Sequence, residues 1–170
     1  MVPLVRVMVF LHGTTLMHAA GVGQPREVRV RQSKERDPSV TDFANYVPIG
    51  NAAEKVGAWA AKGAEIVYLS SLRNSLDVVA DRVVLNRWAF PTGDILWRGE
   101  DESYADVVAR AGPDVLVEDD CESIGGRGET ASAHLSPEVA KKVHSLVVNE
   151  FGGIDHLPDD PRRLVTLASG

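Results

Sequence analysis

The run Val115-Leu116-Val117 restricts the fold more than any other stretch, because it sits between the turn signal Gly112-Pro113 and the acids Glu118-Asp119-Asp120. A short apolar run bounded in this way reads as a strand buried on both faces of a parallel sheet. Parallel neighbours need long crossover connections, so helices must lie between the strands. In open sheets of this kind ligands bind beyond the carboxyl ends of the strands. Here that end carries Glu118, Asp119 and Asp120, then Cys121, then Glu122. Crowded carboxylates repel one another until a proton or a cation relieves them. A hard cation with oxygen ligands, such as Mg2+, suits such a group. An acidic loop whose charges are simply solvated is the competing reading of this segment.

The rest of the chain supplies the strands and helices that such a sheet requires. Leu4 to Leu11 is apolar apart from Arg6 and reads as a first buried strand, ending in the loop His12-Gly13-Thr14-Thr15. Arg26 to Arg36 fits either a strand, through Val28 and Val30, or a helix started by Pro25, and the helix is favoured. Pro38 to Gly50 is a turn-rich connection anchored by Phe43 and Tyr46. Asn51 to Lys62 has helical spacing in Ala53, Val56, Trp59 and Ala60, with Asn51 as cap and Gly63 as terminator. Glu65 to Leu69 is the second strand, followed by Ser70-Ser71-Leu72-Arg73. Ser75 caps a helix to about Trp88 whose apolar side is Val79, Val83 and Trp88. Asp94 to Trp97 is the third strand, and Glu102 to Ala111 a helix with Tyr104, Val107 and Val108 inward. After the fourth strand and the loop Gly125 to Gly128, Ser136 caps a short helix from Pro137. Ser145 to Val148 is the fifth strand, and Arg162 to Ala168 a last helical turn. This alternation implies a three-layer Rossmann-like α/β domain over residues 1–170 with a mainly parallel sheet, the tail 151–170 packing on it.

Charge and composition narrow the partners. The net charge of -6 argues against a nucleic-acid backbone as a general partner. No apolar run approaches the roughly 20 residues of a membrane span, and the apolar start lacks the features of a signal peptide. The single cysteine, Cys121, rules out an intrachain disulfide and is compatible with a reducing compartment, so a cytoplasmic setting is the default.

Three strand ends stand out in order: Phe10-Leu11-His12-Gly13-Thr14, Leu69-Ser70-Ser71 and Glu118-Asp119-Asp120. Their order resembles the haloacid dehalogenase-like (HAD-like) superfamily. Its first motif is a strand ending in Asp-x-Asp-Gly-Thr, its second a strand ending in Ser or Thr, and its fourth an apolar strand ending in paired acids. The resemblance implies a phosphatase-type hydrolase that binds Mg2+. Asp119 and Asp120 would hold the metal, Ser70 with Ser71 would bind phosphate, and Gly13 and Thr14 match the first motif. The first motif departs where it matters most. Phe10 stands at the nucleophile's position and His12 at that of the general acid/base. Phenylalanine can neither attack phosphorus nor bind a cation. His12 can still move protons. The third motif's cation has no lysine to fill it between Gly63 and Asp119, which leaves Arg73 or Arg98. No inserted cap segment is read between the first two motifs, which suggests an open site; such sites in the family face large substrates or partners, so the expected substrate is a phosphorylated small molecule or a macromolecule.

Other constellations compete. Phe10-Leu11-His12-Gly13 is similar to the oxyanion element of α/β-hydrolases, but Gly-x-Ser-x-Gly is missing. His12, His18 and the acids form a set that suits zinc or iron, although the six-residue spacing of the histidines fits no short ligand motif. Cys121 among acids reads as a packed thiol, since negative neighbours raise its pKa. Gly125 to Gly128 is a weak candidate anion cradle, and Asp155-His156 reads as a surface turn. Three functions remain open. One is a metal-dependent hydrolase using metal-activated water in place of the aspartate nucleophile. The second is a non-catalytic HAD-like binding or assembly domain. The third is different chemistry on the same fold, built on His12 and a metal.

Overall fold

The computed structural model describes residues 4–167, so Met1 and Ala168 of the expected terminal segments lie outside it. In chain order the elements are β1 (Arg6–Phe10), β2 (Leu16–Met17), α1 (Arg26–Lys34), β3 (Val47–Pro48), α2 (Ala52–Ala61), β4 (Glu65–Leu69), α3 (Ser75–Arg87), β5 (Asp94–Leu96), α4 (Tyr104–Ala111), β6 (Val115–Asp119), α5 (Pro137–Ala140), β7 (His144–Val148) and α6 (Pro161–Leu164). Five strands form one sheet in the order β5-β4-β1-β6-β7. Every pairing in it is parallel, with Val9 opposite both Tyr68 of β4 and Val117 of β6. The order reverses at β1, so a crevice opens between the ends of β1 and β6.

Period-two alternation along β1 divides the core. Val7 and Val9 face one layer with Ala52, Val56 and Trp59 of α2 and Val78, Val84 and Leu85 of α3. Met8 and Phe10 face the other with Val107, Val108 and Ala111 of α4. Both faces are covered, which is why β1, β4 and β6 are nearly continuous apolar runs. The tail contributes Ile154, Leu157 and Leu164 to the first layer. The Trp59 Nε1–H donates to the Pro158 carbonyl at 2.8 Å and pins the tail there.

Three local expectations are corrected. The cap of α3 is Asn74, whose side chain accepts from the Asp77 N–H, and Ser75 is the first helical residue. The inward face of α3 is Val78, Asp81, Val84 and Leu85, while Val79, Val83 and Trp88 are exposed. The residues reverse because the doublets Val78-Val79 and Val83-Val84 fit either face, and the face carrying Asp81 is the buried one. Asn51 precedes α2 without a side-chain cap; its N–H instead donates to the Asp155 carboxylate at 2.9 Å.

The site carries no large cap among the described residues, as expected, but the segment between the first two motifs is structured. Between β1 and β4 the chain forms an antiparallel ribbon, β2 against β3, and helix α1. Met17, Val30 and Ile49 of this segment form a small core with Phe151, which follows β7 (His144–Val148). Tight turns over Pro38–Thr41 and Phe43–Asn45 then bring Val40, Phe43 and Tyr46 over the sheet's carboxyl edge. The result is a partial roof rather than a large cap.

Candidate active site

A cavity of about 300 Å³ lies at the carboxyl ends of β1, β4, β6 and β7. His12, Gly13, Ser71, Asp119, Cys121 and Glu150 are among its lining residues. Aromatic rings of Phe10, Phe43, Tyr46 and Tyr104 form much of the rest. Each polar group arrives there because a strand ends beneath it. His12 follows β1 by two residues, Ser71 follows β4 by two, Asp119 closes β6 and Glu150 follows β7 by two.

The turn after β1 is tightly determined. Gly13 has φ of +89°, in the region that favours glycine. A Cβ there would stand 2.9 Å from Asp119 Oδ1. Thr14 is fully buried, and its hydroxyl donates to Asp119 Oδ1 at 2.8 Å. Gly13, matched to the first motif and expected with Thr14 to bind substrate, lines the cavity, and both residues also position Asp119.

Asp119, Asp120 and Glu150 each offer a carboxylate oxygen, all within 4.8 Å of one another. Asp119 Oδ2 also accepts from the Cys121 N–H at 3.0 Å. Asp120 Oδ1 accepts from the Glu150 N–H at 3.1 Å, and the Glu150 carboxylate accepts from the Ser123 N–H and hydroxyl at 2.6 and 2.8 Å. Burial pushes the Asp119 carboxyl up to about 6, against the opposing bonds from Thr14 and Cys121. Burial also raises Glu150, with its acidic neighbours adding to the effect. The Cys121 thiol is pushed well above its ordinary value, first by burial and then by Asp119 and Glu118, so it is no nucleophile. Arg26 lies 3.9 Å from Asp120 and pairs with Glu122, which takes Glu122 out of the cluster. Glu118 faces away and accepts from the Ala131 and Ser132 N–H groups at 2.8 and 2.9 Å, fastening the loop after β6.

His12 is held on both ring nitrogens. Its Nε2 lies 2.7 Å from Asp81 Oδ1 and its Nδ1 lies 2.9 Å from Ser71 Oγ. Its ring lies parallel to Phe43, 5.7 Å between centroids, and packs against Tyr46 at 4.6 Å. Asp81 is fully buried and also accepts from the Ser70 hydroxyl at 2.5 Å. Ser70 in turn accepts from the Leu72 N–H at 3.1 Å. Ser70 is therefore buried and engaged, and of the two serines only Ser71 lines the cavity.

Arg73 is exposed and does not line the cavity. Arg98 stacks over the Tyr104 ring at 4.0 Å. The transition-metal set through His18 does not form: His18 is buried and its Nε2 pairs with Gln32 at 2.8 Å. The Gly126 N–H is used by the Cys121 carbonyl at 2.9 Å, so that loop folds on itself. Sequence reasoning missed Asp81 and Glu150. Asp81 lies in a helix, where an acid reads as exposed, and Glu150 follows a short strand without a motif.

The central strand β1 thus ends in His12-Gly13-Thr14, its neighbour β4 in serines and its other neighbour β6 in paired acids, all at one edge of a sheet ordered β5-β4-β1-β6-β7. The fold is a Rossmann-like α/β domain with a parallel sheet. No protein-family model matches the chain, and no curated protein matches it significantly. Among solved structures, a chain of the Pnkp1/Rnl/Hen1 RNA repair complex is similar over 86% of this chain and 43% of its own, at 11% identity and a TM-score of 0.52. A chain of a second Pnkp1/Rnl/Hen1 complex is similar over 88% of this chain and 48% of its own, at 10% identity and a TM-score of 0.51. This chain therefore spans less than half the length of both. A HAD family hydrolase from Deinococcus radiodurans R1, solved with bound phosphate and sodium, is similar over 95% of this chain and 88% of its own, at 16% identity and a TM-score of 0.48. Phe10, which the resemblance sets at the position of an attacking aspartate, packs its ring edge-on against Tyr104 with centroids 5.0 Å apart.

Proposed function

We propose that this HAD-like chain hydrolyses a phosphate ester in a reaction that depends on a divalent cation. The observation that carries the reading is the all-oxygen donor set of Asp119, Asp120 and Glu150, of which Asp119 and Glu150 line the same cavity as His12 and Ser71. Hard carboxylate oxygens suit Mg2+. The burial that raises Asp119 and Glu150 is the strain a cation relieves. When bound there, Mg2+ supplies charge neutralisation for a phosphoryl group. Glu150 adds a third carboxylate to the pair Asp119 and Asp120. His12, fixed by Asp81, moves the proton. Among the described residues no lysine or arginine lines the cavity, so the cation is what makes an anionic ester tolerable beside Asp119 and Glu150.

The substrate is a phosphorylated small molecule or a phosphate carried by a protein. The net charge of -6 and the acidic cavity disfavour a nucleic-acid strand, and the likeness to chains of RNA repair complexes is one of fold. Among the described residues no helix is long and apolar enough to cross a membrane. With Cys121 as the one cysteine, a reducing, cytoplasmic setting suits the protein.

A second reading, a binding domain without catalysis, is favoured by Phe10 alone. Thermal unfolding against Mg2+ separates the two, because a ligand of the folded state raises its apparent stability. A rise in wild type that is lost in Asp119→Asn with Asp120→Asn supports the hydrolase; no rise at millimolar Mg2+ turns the account to the binding domain.

A further inference from the structure

We propose that Ser71 is the nucleophile of this site, activated by His12 and oriented through Asp81. The inference deepens the phosphate-ester reading and rests on it for the substrate class. Three observations carry it. First, Ser71 Oγ, the His12 ring and the Asp81 carboxylate form one continuous line, with contacts of 2.9 and 2.7 Å. Asp81 can only accept, so Nε2 carries the ring hydrogen and the Nδ1 lone pair faces the Ser71 hydroxyl. This is the order of roles in a serine–histidine–aspartate relay, with the two ring nitrogens exchanged. Second, the three residues are differently exposed in the way that relay requires. Asp81 is fully buried and further fixed by Ser70, the His12 side chain is 11% exposed, and Ser71 opens into the cavity. Third, the position that would carry an attacking aspartate is Phe10, so no other group on β1 competes.

An aspartate buried on α3 is costly unless something there needs it. A purely structural His12 would be satisfied by a backbone carbonyl. The sequence instead spends a fully buried acid and a second serine, Ser70, on fixing one imidazole. Stacking against Phe43 and Tyr46 restricts the ring further.

The chemistry balances without any added reagent. Ser71 Oγ attacks phosphorus while its proton passes to His12 Nδ1. The Oγ–P bond forms, and the bond from phosphorus to the leaving oxygen breaks. That oxygen takes the proton from Nδ1 and departs as the alcohol. Water then gives a proton to Nδ1 and its oxygen attacks phosphorus. The P–Oγ bond breaks, the proton returns to Ser71, and phosphate is released. Asp81 is a positioning residue throughout. Phe10, Phe43 and Tyr104 line the same cavity, so an ester with an apolar or aromatic alcohol fits it best.

The test is labelling with a neutral alkyl fluorophosphonate, in which the same Oγ–P bond forms and fluoride leaves. Intact mass and peptide mapping locate the label, and no metal is needed. Wild type is expected to gain one label on Ser71, and Ser71→Ala none. His12→Ala and Asp81→Asn are expected to slow labelling about a hundredfold or more. Asp81→Asn also reads out positioning, because an amide that donates to Nε2 moves the ring hydrogen to Nδ1 and should shift the pH profile of labelling. Circular dichroism confirms that each variant is folded. A folded wild type that takes no label on Ser71, or one labelled at the same rate in His12→Ala and Asp81→Asn, overturns the relay. Aryl phosphate hydrolysis in Mg2+ is measured in parallel. Labelling without hydrolysis leaves the relay standing and removes the phosphate-ester reading. Hydrolysis that survives in Ser71→Ala removes the relay and keeps that reading.

Discussion

Replacing Asp119 by asparagine should stabilise the metal-free protein at neutral pH, although it deletes a charged group from the centre of the site. Asp119 is 6% exposed and its carboxyl is raised from 3.8 to about 6 by burial. The folded state then binds a proton more tightly than the unfolded one. Stability is full below the unfolded pKa and falls as pH rises through the folded one. A rise of this size means that ionised Asp119 costs the folded protein about 3 kcal/mol at pH 7 and roughly half that at pH 5. Asparagine carries no charge and can keep the bond from the Cys121 N–H. Its amide must then face Thr14 Oγ1, which reverses one hydrogen bond and gives back about 1 kcal/mol. The net gain is about 2 kcal/mol, or roughly 4 to 8 °C in Tm for a chain of this size. The assay is thermal unfolding in chelator at pH 7.5 and pH 5, with the gain smaller at the lower pH. Mg2+ should then stabilise wild type and not the variant. If Asp119→Asn destabilises the protein equally at both pH values, the carboxyl is not burdened by burial and the argument for a cation there fails.

Other perturbations follow from the same geometry. Phe10→Asp places a carboxylate where an 8%-exposed ring packs on Tyr104, and should cost about 3 to 5 kcal/mol in chelator with part of it recovered in Mg2+, as read by urea unfolding. Glu118→Ala leaves the Ala131 and Ser132 N–H groups without their acceptor and should cost about 2 to 4 kcal/mol, with early loss of amide exchange protection in the loop after β6. Gly93→Ala brings a Cβ to 2.4 Å from the Ile66 carbonyl, and should lower Tm by several degrees through displacement of β5 from β4.

The parts of the fold that could be read from sequence are those where burial is symmetric. The strands β1, β4 and β6 are covered on both faces, so their apolar runs declare them whatever the neighbouring loops do. The cap and Pro-led start of α5 were legible for a similar reason, since Ser136 accepts from the Val139 N–H as its position suggests. The face of α3 was not legible. Its paired valines satisfy both faces, and the deciding residue, Asp81, is an acid whose burial makes sense only once His12 and Ser70 are placed against it. The same long-range dependence hid the site's third acid. Glu150 joins Asp119 and Asp120 only because β7 pairs with β6, bringing Val148 opposite Asp119. Asp119 and Asp120 were visible from their place at a strand end. Ser70 was visible as a position, but its hydroxyl turns to Asp81, and the neighbouring Ser71 is the one that opens to the cavity. The roof over Val40, Phe43 and Tyr46 was hidden in turns whose packing no local pattern encodes.

The most direct test of the account is hydrolysis of para-nitrophenyl phosphate by wild type and by Asp120→Asn, each with Mg2+ and with chelator. Asp120 is only partly buried, its side chain 18% exposed, and an amide oxygen can keep the bond from the Glu150 N–H, so its replacement should leave the fold intact. The account predicts turnover in wild type that requires Mg2+ and falls at least tenfold in Asp120→Asn. Turnover that is indifferent to both the metal and the substitution, or a folded wild type that binds Mg2+ and turns over no phosphate ester, would contradict it.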